Sequence, residues 1–295
     1  MATANSPLRY PGGKAVLSGF LGEVLRLNGL RDGVYVEPYA GGAGAALNLL
    51  FGEHVQRVVL NDLDPCISVF WNVILRRSAA FMRRVEDTPV TIAEWKRQRD
   101  IYRHQARHSA IRVAFAGFYL NRCNRSGIMV DGGPIGGIEQ KGKWKLDARY
   151  NKKGLAERIE RIALYRDRID VYNMDAVDFL KHYLMGSATL EKTLVYLDPP
   201  YYTKGSQLYH NHYEEEDHAQ LARFMNEPKP FKWIMSYDNV PPIDALYRSR
   251  RRYSVDVSYC AHTRRLGSEL LICSDDLEMP ALVEAEPVSS AHLAM

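Results

Sequence analysis

Short runs of β-branched and aromatic residues alternate along this chain with segments whose apolar positions recur every three or four residues. Val34-Tyr35-Val36-Glu37-Pro38, Arg57-Val58-Val59-Leu60, Ile169-Asp170-Val171-Tyr172-Asn173, Leu194-Val195-Tyr196-Leu197 and Trp233-Ile234-Met235-Ser236 read as strands. Leu17, Phe20, Leu21, Val24 and Leu25 fall on one face of a helix that Lys14 opens. Further helices are predicted through Leu47, Leu49 and Leu50, through Val177, Phe179 and Leu180, and through Leu221 and Phe224 with Asp217 as the cap. Val255-Asp256-Val257-Ser258-Tyr259 and Glu269-Leu270-Leu271-Ile272-Cys273 read as a final strand pair, joined by the basic turn His262-Thr263-Arg264-Arg265. Strand and helix in alternation predict an α/β fold.

The rhythm stops between residues 76 and 168. Residues 79–120 read as helical, with Trp95, Ile101, Ile111, Phe115 and Phe118 as core, and a glycine-rich run from Gly132 to Gly142 follows. The expected organisation is therefore an α/β unit made from residues 1–75 and 169–277, an insertion at 76–168, and a frayed Ala-, Pro- and Ser-rich tail at 278–295.

Charge separates the same segments. The insertion holds 22 Lys and Arg against 10 Asp and Glu, a local +12, and the remainder holds 17 against 25, or −8, for a net +4. Such a block is either a solvated helical face or the electrostatic footprint of a polyanion. Lys141-Gly142-Lys143-Trp144-Lys145 and Arg149-Tyr150-Asn151-Lys152-Lys153 add ring surfaces to the charge, the composition of a basic loop or hairpin suited to phosphates and bases. Trp144 and Tyr150 could equally be local core. No membrane span or signal peptide is expected, and Cys66, Cys123, Cys260 and Cys273 have no metal-type spacing, so reduced cysteines and no metal are expected.

Candidate chemistry sits where strands end. Leu194 to Leu197 run into Asp198-Pro199-Pro200-Tyr201-Tyr202. Two prolines cannot continue a ladder, so the strand stops at Asp198 and leaves a carboxylate, a stiff turn and a ring at a strand's carboxyl end. Val34–Pro38 leads into Tyr39-Ala40-Gly41-Gly42-Ala43-Gly44, a glycine turn before a helix, and Asp62 follows about 20 residues later, where an acid bonding a ribose is expected. That pairing points to an adenosine-containing ligand without saying which. Arg9-Tyr10-Pro11-Gly12-Gly13-Lys14 is a plain turn, or one that presents N–H groups and an ammonium to a carboxylate. Gly205 to Glu216, with Tyr209, His210, Asn211, His212 and Tyr213, reads as a mobile loop over a site.

Taken in order, six motifs resemble the DNA adenine methylase family of N6-adenine methyltransferases: Arg9–Lys14, Glu37–Gly44, Asn61-Asp62, Tyr119-Leu120-Asn121-Arg122, Asp198–Tyr201 and Glu269-Leu270-Leu271. The resemblance spans roughly residues 6–275 and implies a Rossmann-like methyltransferase sheet with a mainly helical target-recognition insertion. It implies S-adenosylmethionine as methyl donor and double-stranded DNA as partner, with no membrane and no metal. A monomer or weak dimer is implied, in a cytoplasm of bacterial or phage type at the nucleoid.

Carried over residue by residue, the resemblance gives the donor to Tyr10, Lys14, Glu37, Pro38, Tyr39, Gly41, Gly42, Gly44, Asp62, Asp175 and Asp198. Lys14 would approach the donor's carboxylate, Asp62 the ribose and Asp175 the adenine amino group. Asp198, Pro199, Pro200 and Tyr201 would hold and methylate a flipped target base. Arg122, Asn124, Arg125, Lys141, Lys143, Lys145 and Arg149 would contact DNA. Asp rather than Ser or Asn before Pro-Pro-Tyr favours adenine over cytosine. The stretch Cys123 to Met129 departs from the recognition segment of the enterobacterial GATC-methylating members.

Overall fold

A computed structural model describes residues 5–10, 14–129, 132–203, 213–261 and 263–280. Its centre is a seven-stranded sheet of β1 (Val34–Glu37), β2 (Arg57–Asn61), β3 (Ile169–Tyr172), β4 (Thr193–Leu197), β5 (Lys232–Asp238), β6 (Arg251–Ala261) and β7 (Thr263–Cys273). The strand order is β3-β2-β1-β4-β5-β7-β6. Strands β1 to β5 run parallel, and β7 is antiparallel to both neighbours. This is a Rossmann-like sheet, and its order reverses between β1 and β4. Such a switch point opens a crevice outside the strands' carboxyl ends, which here end in Glu37 and Leu197-Asp198.

Because both sheet faces are covered, the strands read as apolar runs, yet their side chains still alternate. Tyr35, Val58, Leu60, Leu194, Tyr196 and Ile234 enter one core with α1 (Ser18–Leu27), α2 (Gly44–Phe51) and α3 (Pro65–Arg76). Val34, Val36, Val59, Val195 and Leu197 enter the other with α8 (Ala176–Gly186), α9 (Glu215–Asn226) and α10 (Pro241–Leu246).

Residues between α3 and β3 form α4 (Ser78–Asp87), α5 (Ile92–Arg103), α6 (Ala110–Cys123) and α7 (Lys152–Leu164). Thr91 caps α5 through Glu94 N–H at 3.2 Å, and Asn151 caps α7 through Gly154 N–H at 3.2 Å. All five core residues expected here are buried, and Phe70 of α3 stacks on Phe118 of α6 with ring centroids 6.0 Å apart. The insertion therefore shares one continuous core with a face of the sheet. Its register to the sheet is set by packing rather than by a linker.

Three local expectations shift. Helix α9 begins at Glu215, two residues before Asp217, because Glu214 and Asp217 form a reciprocal capping box in which Asp217 is the third helical residue. Arg264 and Arg265 are ladder residues of β7 opposite Cys260 and Tyr259, so the connection is tighter than a four-residue turn. Residues 278–280 are not frayed: Glu278 N–H donates to Asn28 Oδ1 at 2.8 Å and Asn28 Nδ2 returns to Glu278 O at 2.8 Å. The rest of the tail lies outside the described residues, as do Pro11, Gly12, Gly13, Tyr209, His210, Asn211, His212 and His262.

Candidate active site

The crevice at the β1/β4 switch point is a cleft of about 1010 Å³, open mouth included. All eleven residues expected at the donor line it: Tyr10, Lys14, Glu37, Pro38, Tyr39, Gly41, Gly42, Gly44, Asp62, Asp175 and Asp198. Leu63, Asp64, Tyr196, Pro200 and Tyr213 also line it. Tyr213 belongs to the segment expected over a site, and its hydroxyl lies 2.7 Å from that of Tyr39.

One wall is the glycine turn. Gly41 has φ +44°, and a Cβ there would meet the Tyr10 ring at 2.8 Å. Gly41 N–H donates to Asp62 Oδ2 at 2.8 Å, and Asp64 N–H donates to Asp62 Oδ1 at 2.9 Å. Burial lifts the Asp62 carboxyl to about 7 against those two hydrogen bonds, with the Asp64 charge adding to the rise. Asp175 caps α8, accepting from Val177 N–H at 2.8 Å and Asp178 N–H at 3.2 Å. Glu37 accepts from Ala46 N–H at 3.1 Å, and burial pushes its carboxyl up to about 8.

The opposite wall is the end of β4. Asp198 Oδ1 accepts from Ser236 Oγ at 3.0 Å and lies 3.3 Å from Lys14 Nζ. Lys14 Nζ also donates to Glu269 Oε1 at 2.8 Å and to Tyr201 Oη at 2.9 Å, and Tyr201 donates to the same Glu269 oxygen at 2.7 Å. Burial alone would lower the Lys14 ammonium, but Asp198, with Tyr196, Tyr201 and Glu269, raises it well above its ordinary value. The ammonium is thus shared between Asp198 and Tyr201 of the Asp198–Tyr201 motif and Glu269 of β7. Two acids and a hydroxyl hold the Lys14 ammonium at the edge of the cleft. Glu269 entered the sequence reading only as the head of the motif Glu269-Leu270-Leu271. An acid at the head of the apolar run Leu270-Leu271-Ile272 is the signal that marks it, although β7 itself starts at Thr263.

In the insertion, Asn121 clamps the N-terminal loop: its Oδ1 accepts from Arg9 N–H at 2.7 Å and its Nδ2 donates to Arg9 O at 2.7 Å. Asn124, expected at DNA, is 0% exposed. Its Oδ1 accepts from Trp95 Nε1 at 2.7 Å and its Nδ2 donates to Ile128 O at 2.6 Å. Both halves of the amide are engaged, so Asn124 holds the loop rather than facing DNA. Arg122 is 7% exposed and makes no hydrogen bond or ion pair among the described residues. Its guanidinium is lowered to about 9, by burial and then by Arg158 and Arg9.

Arg125 is exposed and lines a hollow with Trp95, Arg99 and Arg103. Arg99 and Arg103 were not singled out, although their spacing from Trp95 in steps of four puts all three on one face of α5. Lys141, Lys143, Lys145 and Arg149 are exposed on a loop of turns rather than a hairpin. Trp144 is 65% exposed with Lys143 Nζ 5.9 Å from its ring, whereas Tyr150 is buried core.

The family model described as D12 class N6 adenine-specific DNA methyltransferase matches residues 10–260. The chain belongs to this family. It is an enzyme that transfers a methyl group from S-adenosylmethionine to N6 of adenine in DNA, as the ordered motifs implied. Among solved structures, the rRNA methyltransferase AviRa from Streptomyces viridochromogenes is 16% identical with a TM-score of 0.38, over 90% of this chain and 85% of that one. A SAM-dependent methyltransferase from Agrobacterium tumefaciens is 11% identical with a TM-score of 0.36, over 88% of this chain and 61% of that one. Comparison with curated proteins finds no match. The cleft suits the methyl donor, a sulfonium cation attached to an adenosine: Glu37, Asp62 and Asp175 offer carboxyl oxygens as hydrogen-bond acceptors, and Tyr10 and Tyr39 offer rings. No helix among the described residues is long and apolar enough to cross a membrane, and no cluster of three His, Cys, Asp or Glu is suited to a metal.

Proposed function

We propose that the adenine reaches Asp198 as a base flipped out of double-stranded DNA, and that residues 76–168 select it. The observation that carries this reading is the position of Asp198 and Pro200 just past the end of β4, on the same cleft as Glu37 and Asp62. A base inside the duplex cannot enter such a crevice. An adenine N6 is planar and weakly nucleophilic because its lone pair is delocalised into the ring. The Asp198 carboxylate and the Pro199 carbonyl would accept its two N–H bonds and draw the nitrogen towards tetrahedral geometry, with Pro200 stiffening the turn and Tyr201 stacking on the ring. S-adenosylmethionine supplies the electrophilic methyl group. Asp62 would accept the donor's ribose hydroxyls, Asp175 its adenine amino group, and the 41–44 turn would leave room for its backbone-side edge.

Arg122, within electrostatic reach of Arg9 and Arg158 and without an ion-pair partner among the described residues, would take a DNA phosphate. Lys141, Lys143, Lys145 and Arg149 would add phosphate contacts, Trp144 a ring, and Arg125 with Arg99 and Arg103 the base-edge and backbone contacts of the hollow. The protein would then work at the nucleoid. Asp198→Ala tests the reading: it should abolish methyl transfer to adenine while leaving DNA affinity largely intact. Near-normal transfer by that variant refutes it.

A further inference from the structure

We propose that Glu269 is a positioning residue for methyl transfer: by binding Lys14 and Tyr201 through one oxygen, it keeps the ammonium from neutralising Asp198 and tethers the stacking ring beside it. The inference rests on Asp198 and Tyr201 being the groups that hold the target base.

The geometry is asymmetric in the way this role requires. Lys14 Nζ is 2.8 Å from Glu269 and 3.3 Å from Asp198, so the closer counter-ion is the acid that lies off the catalytic motif. Tyr201 Oη donates to that same Glu269 oxygen at 2.7 Å, so one carboxylate fixes both partners. Glu269 Oε2 is buried without a hydrogen-bond partner. A half-satisfied buried carboxylate is a liability for stability, which sets it apart from a residue kept for packing alone. Two acids around one ammonium leave a net negative charge, and Asp198 remains an acceptor able to take N–H bonds from a base.

Remove the Glu269 charge and Lys14 has only Asp198 to pair with. The groups that face Asp198 are Lys14, Glu269, Tyr196, Tyr201, Tyr35 and Glu37. Burial raises the Asp198 carboxyl, Lys14 opposes the rise, and Glu269 adds to it. Without Glu269 one of the two influences that raise it is lost while Lys14 stays, and Asp198 becomes a weaker base.

The experiment uses the full chain with Glu269→Gln, Glu269→Asp and Tyr201→Phe, measuring S-adenosylmethionine affinity, DNA affinity and the pH profile of single-turnover methylation. Glu269→Gln keeps the shape and an acceptor oxygen. It should leave both affinities within about threefold, lower the transfer rate by about 100-fold, and move the acidic limb of the profile to lower pH. Glu269→Asp, which restores charge on a shorter stem, should recover part of the rate. Tyr201→Phe should lose less in the Glu269→Gln background than in the wild type. Wild-type rate and pH profile in Glu269→Gln, or a loss that appears only in the two affinities, overturns the proposal. If Glu269→Gln does not fold, additive losses in Glu269→Asp and Tyr201→Phe overturn it as well. Failure of the underlying site reading would show separately, as methylation by Asp198→Ala.

Discussion

The Tyr10 ring lies over Gly41 so closely that a Cβ at that glycine would meet ring carbons at 2.8 Å. Gly41 also has φ +44°, in the left-handed region, and its N–H holds Asp62 at 2.8 Å. Contact, conformation and hydrogen bond converge on one residue. Gly41→Ala should therefore cost about 1–2 kcal/mol of stability and displace both Tyr10 and Asp62. The expected result is a fall in S-adenosylmethionine affinity of about tenfold or more, read by calorimetric titration beside a urea unfolding curve. Wild-type affinity would sink the view that this turn shapes the donor wall.

Much of this was visible in the residues. Strand ends were legible because proline and glycine leave the backbone little choice: Pro199-Pro200 stops β4, and the glycine turn follows β1. Cleft-lining acids were legible because the end of a strand is where an α/β fold puts chemistry. Partnerships were not. Nothing in a linear reading joins Lys14 to Glu269 across 255 positions, or seals Asn124 beneath Trp95, since both follow from how β7 and α5 pack. The same limit applies to Trp144 and Tyr150, six residues apart in one basic loop. Only burial separates the exposed indole from the phenol packed on Phe118 and Tyr119.

Glu37 and Asp62 give the donor-free protein a defined pH dependence. Their folded carboxyls sit at about 8 and about 7, against ordinary values of 4.5 and 3.8. A raised carboxyl means that the folded state retains a proton the unfolded chain has released. The contribution is full below about pH 4 and is lost as pH rises through 7 to 8. Urea unfolding should show stability falling over that window, by a few kcal/mol for the wild type. In Glu37→Gln the fall should be visibly shallower. Parallel curves for the two proteins would show that Glu37 ionises normally.

Asn124 tests the division between loop-holding and DNA-facing residues. Asn124→Ala leaves the Trp95 indole N–H and the Ile128 carbonyl without their partners, a loss of about 1–3 kcal/mol. DNA affinity should fall for all sequences together, because the whole 124–129 loop loosens. A change confined to sequence preference, with stability intact, would return Asn124 to the DNA interface.

Trp144 should behave in the opposite way. It is 65% exposed and supports no core, so Trp144→Ala should leave the unfolding midpoint in place. Loss of a stacking surface should weaken DNA binding by about 1–3 kcal/mol. Lys143→Ala beside it should weaken binding to every sequence and reduce the salt slope by about one. An unchanged slope would remove Lys143 from the phosphate footprint.

Arg122 offers a prediction in which stability and function move apart. A buried guanidinium with an unpaired Nε, near Arg9 and Arg158, is electrostatically unfavourable in the free protein. Replacing it with a side chain of similar length and no charge removes the desolvation and the repulsion together. Arg122→Met should therefore raise the unfolding free energy of the DNA-free protein by about 1–2 kcal/mol. Because Arg122 is proposed to seat a phosphate with Arg9 and Arg158, the stabilised variant should also bind DNA at least tenfold more weakly, with the salt slope reduced by about one. Both halves must hold. A destabilised Arg122→Met would mean that the guanidinium is satisfied in solution. A stabilised variant with unchanged DNA binding would mean that the charge is buried there without a phosphate to meet.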